Sequence, residues 1–322
     1  MVLIIDTIVL VNRFLAVASC VLALSACGGS SSQVDTDSTQ ITVAASFYPI
    51  EEILRQVGGT HVNVVELTPA GQGAHDVQLT AKQLTVLSSA SAVFYISDGF
   101  QPDVEKAVAS LPSSVVPVDL LQSMTLLDVV ALLDGTEGET DGEVLASGKD
   151  PHVWLDPANM IAMTTAVVDA LSQLSPNFAT QFSTAAKSYI AELQTLGTEI
   201  DTTLATCESR ALVTSHRAFA YLAKRANIRQ VAIAGVNPEE EPSAKSLEAI
   251  ASFARANNVS TIFFETLLPA DLAKTLADKV GATADMLDPV EGIRSADIAA
   301  GASYISIQQD NLSRIAKGLR CS

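Results

Sequence analysis

The chain has 322 residues with 48% hydrophobic side chains, enough to bury one large core or two medium ones. Its 19 Lys and Arg stand against 36 Asp and Glu, a formal net charge of -17. That balance excludes a nucleic-acid binder, since phosphate recognition needs a concentrated basic surface, and it favours a cationic or neutral ligand.

Residues 14–26, FLAVASCVLALSA, form an apolar run behind Arg13. The run is shorter than the roughly 20 apolar residues that cross a bilayer and has the length of a signal-peptide core. It closes on LSAC, Leu24 to Cys27, where a leucine and two small residues before a cysteine resemble a bacterial lipobox. GGSSSQVDTDSTQ follows and reads as a flexible tether of small polar residues. The expected boundaries are a signal peptide over 1–26 and a tether over 27–40, lipidated at Cys27 and holding the protein outside the cell membrane. In such an oxidising location Cys207 and Cys321, the remaining thiols, are expected to pair as a disulfide.

From residue 41 onward, short β-branched runs alternate with amphipathic stretches. The runs are ITVAASF (41–47), VNVVEL (62–67), AVFYIS (92–97) and VVPVDL (115–120), then ALVTS (211–215), QVAIAG (230–235), TIFFE (261–265) and ADMLD (284–288). PIEEILRQVGG and LAKTLADKVGA between them are helical patterns closed by glycine. Strands separated by helices predict an α/β fold with parallel sheets. Two lobes of about four strands each are expected, over 41–173 and 207–322.

The segment between them carries Phe178, Phe182, Ala186, Tyr189, Leu193, Leu196, Ile200 and Leu204 at intervals of three or four, which is one helix face. Ser175 before Pro176 suggests an N-cap with proline at the first helical position. A rigid helix over 174–206, roughly 40 Å long at about 1.5 Å per residue, would link the lobes.

Three of the four histidines share a placement. His75 follows the second strand in GQGAHD, His152 sits between proline-flanked turns in KDPHVWLDP, and His216 ends the first strand of the second lobe in VTSHRAF. Ligands bind outside the carboxyl ends of strands in parallel sheets. Three imidazoles with one further donor could close a tetrahedral site, and neutral imidazole suits zinc better than magnesium or calcium, which want oxygen. His61, in GGTHVNV, opens a strand and reads as surface. Trp154, the only tryptophan, is expected to pack beside the site.

ASFYPIEEILRQVGG, AHDVQLTAKQLTVLSSASAVFYISDGF, DPHVWLDP, VTSHRAFAYLAKR, PEEEPSAKSLEAI, IFFE and MLDPVEG together resemble the zinc and manganese solute-binding lipoproteins of bacterial ABC importers. The resemblance runs over nearly the whole mature chain and implies two lobes with a rigid linking helix. It also implies that His75, His152 and His216 are metal ligands, histidine at the third position marking the zinc type where manganese-type members tend to carry glutamate. A carboxylate fourth ligand is implied at Glu291 in DPVEG, with Asp288 and water as alternatives, and Glu265 could hydrogen-bond a ligand imidazole. GQGAHD stands where an acidic residue, proline and histidine are usual, and the acidic segment 132–144 replaces a His-rich loop and reads as solvated.

The implied function is capture of zinc outside the membrane and its delivery to an ABC permease, by a monomer. Manganese as cargo is one alternative; a zinc hydrolase is another, since three histidines and a water can generate a nucleophile. No HExxH pairing, nucleophile elbow or phosphate loop supports an enzyme. Proton competition for the imidazoles is expected near pH 6.5, about their ordinary pKa.

Overall fold

The β-branched runs form two parallel sheets, as suits strands covered on both faces. The structure is a computed structural model that describes residues 40–75, 77–122, 124–129, 148–239 and 241–322. The apolar run 14–26, Cys27 and the acidic segment 132–144 lie outside the described residues. No helix among the described residues is long and apolar enough to cross a membrane.

In the first lobe, β1 (Ile41–Ala45), β2 (Val62–Glu66), β3 (Ala92–Tyr95) and β4 (Val116–Asp119) lie in the order β2-β1-β3-β4. Their helices are α1 (Tyr48–Gly58), α2 (Ala81–Ser89) and α3 (Pro102–Val108). A two-residue antiparallel ribbon, β5 (Leu127–Asp128) with β6 (Lys149–Asp150), leads into α4 (Pro157–Leu174) and the long α5 (Ala179–Ala205). The second lobe has β7 (Ala211–Thr214), α6 (Ala220–Arg225), β8 (Arg229–Ala232), α7 (Ala244–Ala256), β9 (Thr261–Phe264), α8 (Asp271–Val280) and β10 (Thr283–Met286). It ends with α9 (Ser295–Ala299) and α10 (Tyr304–Leu319). Its sheet order is β10-β9-β7-β8. Numbered within each lobe, both sheets therefore read second-first-third-fourth, and each has its switch point between the first and third strands.

Helix ends follow the expected chemistry. Gly59, at φ +51, ends α1, and Gly281, left-handed at φ +74, ends α8. The start of the long helix differs from expectation. Pro176 opens a 3-10 turn over Pro176–Phe178 for which Ser175 makes no side-chain cap, and the α-helix begins at Ala179. Its 27 residues bury Phe182, Ala186, Tyr189, Leu193, Leu196, Ile200 and Leu204, the face read from the sequence. Phe178 precedes the α-helix, in the 3-10 turn, and packs half-buried against the same core; its ring also stacks on His61 at 3.9 Å between centroids, so His61 is half-buried and aromatic-packed.

Helix α5 packs against α1 and α4 of the first lobe and α10 of the second, and one apolar cluster runs continuously through these elements. Each sheet adds a smaller core of its own. Cys207, just past α5, is disulfide-bonded to Cys321, just past α10, as expected. The backbone bonds Ser209 N to Leu319 O at 3.0 Å and Glu208 N to Arg320 O at 3.3 Å pair the two segments around it.

Candidate metal centre

Four loops that leave the sheets and the β5-β6 ribbon converge on one buried point. His75 comes from the connection between β2 and α2, His152 from the turn after β6, His216 from the carboxyl end of β7 and Glu291 from the segment after β10. One donor atom from each lies within 4.8 Å of the others. His152 Nε2 is 3.3 Å from His75 Nε2 and 3.4 Å from His216 Nε2. Glu291 Oε1 is 3.5, 3.4 and 3.1 Å from the Nε2 atoms of His75, His152 and His216. A tetrahedron with bonds of about 2.0–2.1 Å has edges of about 3.3–3.4 Å, so these separations have the size of a zinc site.

The sheet register explains part of this meeting. Thr214 of β7 pairs with Phe263 of β9, so two residues further His216 and Glu265 stand side by side past the ends of adjacent strands. Glu265 Oε1 accepts the His216 backbone N–H at 2.9 Å and lies 2.6 Å from its Nδ1. Asp150 repeats the arrangement at His152. Its Oδ1 accepts the His152 backbone N–H and bonds Nδ1, both at 2.9 Å. Each carboxylate thus holds one ring edge and turns Nε2 toward the centre. Sequence reading anticipated Glu265 but passed over Asp150, although it stands two residues before His152 in the same quoted motif.

His75 has a different support. Gln101, buried after β3, donates from Nε2 to the carbonyl of Ala74 at 3.1 Å and to Thr68 Oγ1 at 3.1 Å. The His75 ring meets Phe100 edge-on at 4.6 Å. Trp154 is fully buried, 5.1 Å from the His152 ring, and donates its indole N–H to Pro289 O at 2.8 Å. It packs beside the centre, as expected.

Asp288 does not join the cluster. Its Oδ1 accepts the Val290 N–H at 2.8 Å, and burial pushes its pKa up to about 6. Glu291 is the carboxylate that faces the imidazoles. Burial works to raise the Glu291 pKa, yet the charges of His75 and His216 outweigh it and hold the group well below the usual carboxylate range. At His216 burial opposes the charged ring, but Glu265 and Glu291 prevail and push its pKa up to about 10. His152 is raised against its own burial by Asp150 and Glu291. His75 is lowered because its burial outweighs Glu291.

A cleft reaches two of the four donors. His152 and His216 are 0% exposed. His75 and Glu291 line a cleft of about 380 Å³ between Gln72 and Gln78 of the first lobe and Pro238, Glu239, Leu267 and Leu268 of the second. The lobes touch tightly there: Gly71 N donates to Ile293 O at 3.0 Å, and a Cβ on Gly292 would stand 2.5 Å from Gln72 O.

The profile of the family described as ZnuA, zinc-uptake complex component A, periplasmic, matches residues 43–318. The chain belongs to the ZnuA family. It is 32% identical over 311 residues to the high-affinity zinc uptake system protein ZnuA of Bacillus subtilis (strain 168), covering 94% of this chain and 96% of that one. It is also 32% identical over 297 residues to the zinc-binding lipoprotein AdcA of Streptococcus pneumoniae (strain ATCC BAA-255 / R6). That match takes in 91% of this chain but 58% of AdcA, so the chain spans little more than half of that relative's length. The crystal structure of the Zn(II)-bound ZnuA-like domain of Streptococcus pneumoniae AdcA superposes with a TM-score of 0.73 at 31% identity, over 87% of this chain and 99% of that domain. The two-lobe α/β fold of this chain is thus the fold of ZnuA-family structures.

Proposed function

We propose that this protein captures zinc outside the cytoplasmic membrane and hands it to an ABC permease. His75, His152, His216 and Glu291 are the donors in this reading, and zinc is the cargo. The observation that carries it is that five of the six donor separations, between atoms drawn from both lobes, are 3.1 to 3.5 Å, with all four donors within 4.8 Å of one another. Three neutral imidazoles and one carboxylate favour zinc over manganese, which prefers oxygen. Four protein donors also supply a complete tetrahedron, whereas hydrolytic zinc sites keep a position for water, so binding is favoured over catalysis. Membership of the ZnuA family and the names of its zinc-binding relatives support the same reading.

Residues 1–26 serve in this proposal as a signal peptide and Cys27 as the lipidated anchor, with 27–40 as tether, lobes over 41–173 and 207–322, and the linking helix over 174–206. The partner is the membrane subunit of the permease, met by a monomer. Metal competition on the purified mature protein tests the cargo. At equal free concentrations zinc should exclude manganese, and His216→Glu should shift the preference toward manganese. Equal occupancy by the two metals would contradict the assignment.

A further inference from the structure

The turn that carries Glu291 is held by a closed ring of hydrogen bonds running through α10. Tyr304, Gln308 and Asn311 stand four and three residues apart on one face of that helix, all buried. Asn311 clips Asp288 at both backbone groups: Oδ1 accepts the Asp288 N–H at 2.9 Å, and Nδ2 donates to the Asp288 carbonyl at 2.7 Å. Nδ2 also donates to Gln308 Oε1 at 3.2 Å, and Gln308 Nε2 donates to Tyr304 Oη at 3.1 Å. The Tyr304 hydroxyl donates to the Trp154 carbonyl at 2.5 Å, and the Trp154 indole N–H returns to Pro289 O at 2.8 Å. The ring therefore joins the His152–Trp154 turn to the Asp288–Glu291 turn.

The backbone inside this ring is not one the sequence would adopt by itself. Val290 is fully buried at φ +57, a left-handed conformation that a β-branched residue rarely takes. Such a conformation persists only where the surroundings over-determine it. Here the N–H and carbonyl of Asp288, the carbonyl of Pro289 and the N–H of Val290 are all engaged. The left-handed residue turns the chain so that the next side chain, Glu291, enters the group of imidazoles.

We propose that Asn311 is a positioning residue for zinc binding, which fixes the left-handed turn at Val290 and so delivers the Glu291 carboxylate to the metal. This rests on the reading of Glu291 as a zinc donor. If Asn311 acts through Glu291, its loss should matter only while that carboxylate is present.

A double-mutant cycle decides this. Zinc affinity is measured by chelator competition for the parent, Asn311→Ala, Glu291→Gln and the double variant, with thermal unfolding of each metal-free protein read separately. Asn311→Ala should weaken zinc by about tenfold or more in the parent, as loss of a ligand's supporting partner does, and by less than about twofold in the Glu291→Gln background. Asn311→Ser, which keeps a hydroxyl for Asp288, is carried through the same cycle should the alanine variant fail to fold. The Co2+ form gives a second readout, since its visible bands should lose four-coordinate intensity in the Asn311 variant. Equal weakening in both backgrounds, or none in either, would overturn the positioning role. Glu291→Gln binding zinc as tightly as the parent would instead remove the donor reading beneath it.

Discussion

Asp150 Oδ1 holds His152 at two points, the backbone N–H and ring Nδ1, each at 2.9 Å. One oxygen thus fixes the start of the turn and the rotation of the ring it presents. Asp150→Ala should weaken zinc binding by about 10–100-fold, the usual cost of removing a partner that orients a ligating histidine. Asp150→Asn keeps an acceptor and should lose less. Calorimetric titration of the metal-free variants checks this, and unchanged affinity in Asp150→Ala would show that His152 needs no such support.

Gly292 predicts a second, purely steric effect. A Cβ there would stand 2.5 Å from Gln72 O, whereas one on Gly73 would meet nothing within 4 Å. Gly292→Ala must push apart the Glu291 turn and the loop that carries His75, and zinc affinity should drop by about tenfold, as when a ligand loses its aim. Gly73→Ala, closer to His75 in sequence, should leave affinity within about twofold. Equal effects of the two substitutions would contradict the steric account.

Zinc binding should release protons well above the ordinary histidine range. Sequence reading placed proton competition near pH 6.5, about the unperturbed imidazole value. The structure moves it upward for His216, whose pKa is pushed up to about 10 by Glu265 and Glu291 against its burial. At about pH 8 zinc must therefore displace a proton from His216, while the lowered His75 contributes none. Titration in buffers of different ionisation enthalpy should read about one proton or more released per zinc at that pH. No release there would contradict the geometry.

Metal-free stability follows the same linkage. A raised folded-state pKa at His216 adds stability that is complete below its unfolded value, about 6.5, and is lost as pH rises through about 10. The metal-free protein should melt lower at the alkaline end of that window. Thermal scans in matched salt would show it.

Much of this fold is legible in the sequence because it rests on local pattern. All eight β-branched runs lie on strands of the two sheets, and the spaced apolar residues of α5 are its buried face. The strands end earlier than the runs do: β7 stops at Thr214 and β9 at Phe264, so that Ser215, His216 and Glu265 leave the ladder for the site. Three of the four candidate donors were legible for a related reason, since histidine is scarce and these three follow strands, whereas Glu291 came with the family resemblance. Asn311 was not, because a polar residue on an amphipathic helix carries no signal until the Asp288 turn packs against it. The β5-β6 ribbon is two residues long on each side, too short for any period, and His61 is drawn inward by a ring 117 positions away in sequence at Phe178.

The disulfide gives a prediction on stability alone. Cys207 and Cys321 are 114 residues apart, and closing a loop of that length is worth about 4–5 kcal/mol in the chain-entropy account. Cys207→Ser with Cys321→Ser should lower the unfolding free energy, read from denaturant titration, by up to that amount. Zinc affinity at low denaturant should stay close to that of the parent, because neither cysteine is among the donors.

The donor set itself is read most directly by X-ray absorption at the zinc edge on the loaded protein. The account predicts a four-coordinate shell of nitrogen and oxygen at about 2.0–2.1 Å with the outer scattering of three imidazoles. In His152→Ala one imidazole contribution should disappear. Six oxygen donors, a sulfur in the shell, or a spectrum that His152→Ala leaves unmoved would contradict it.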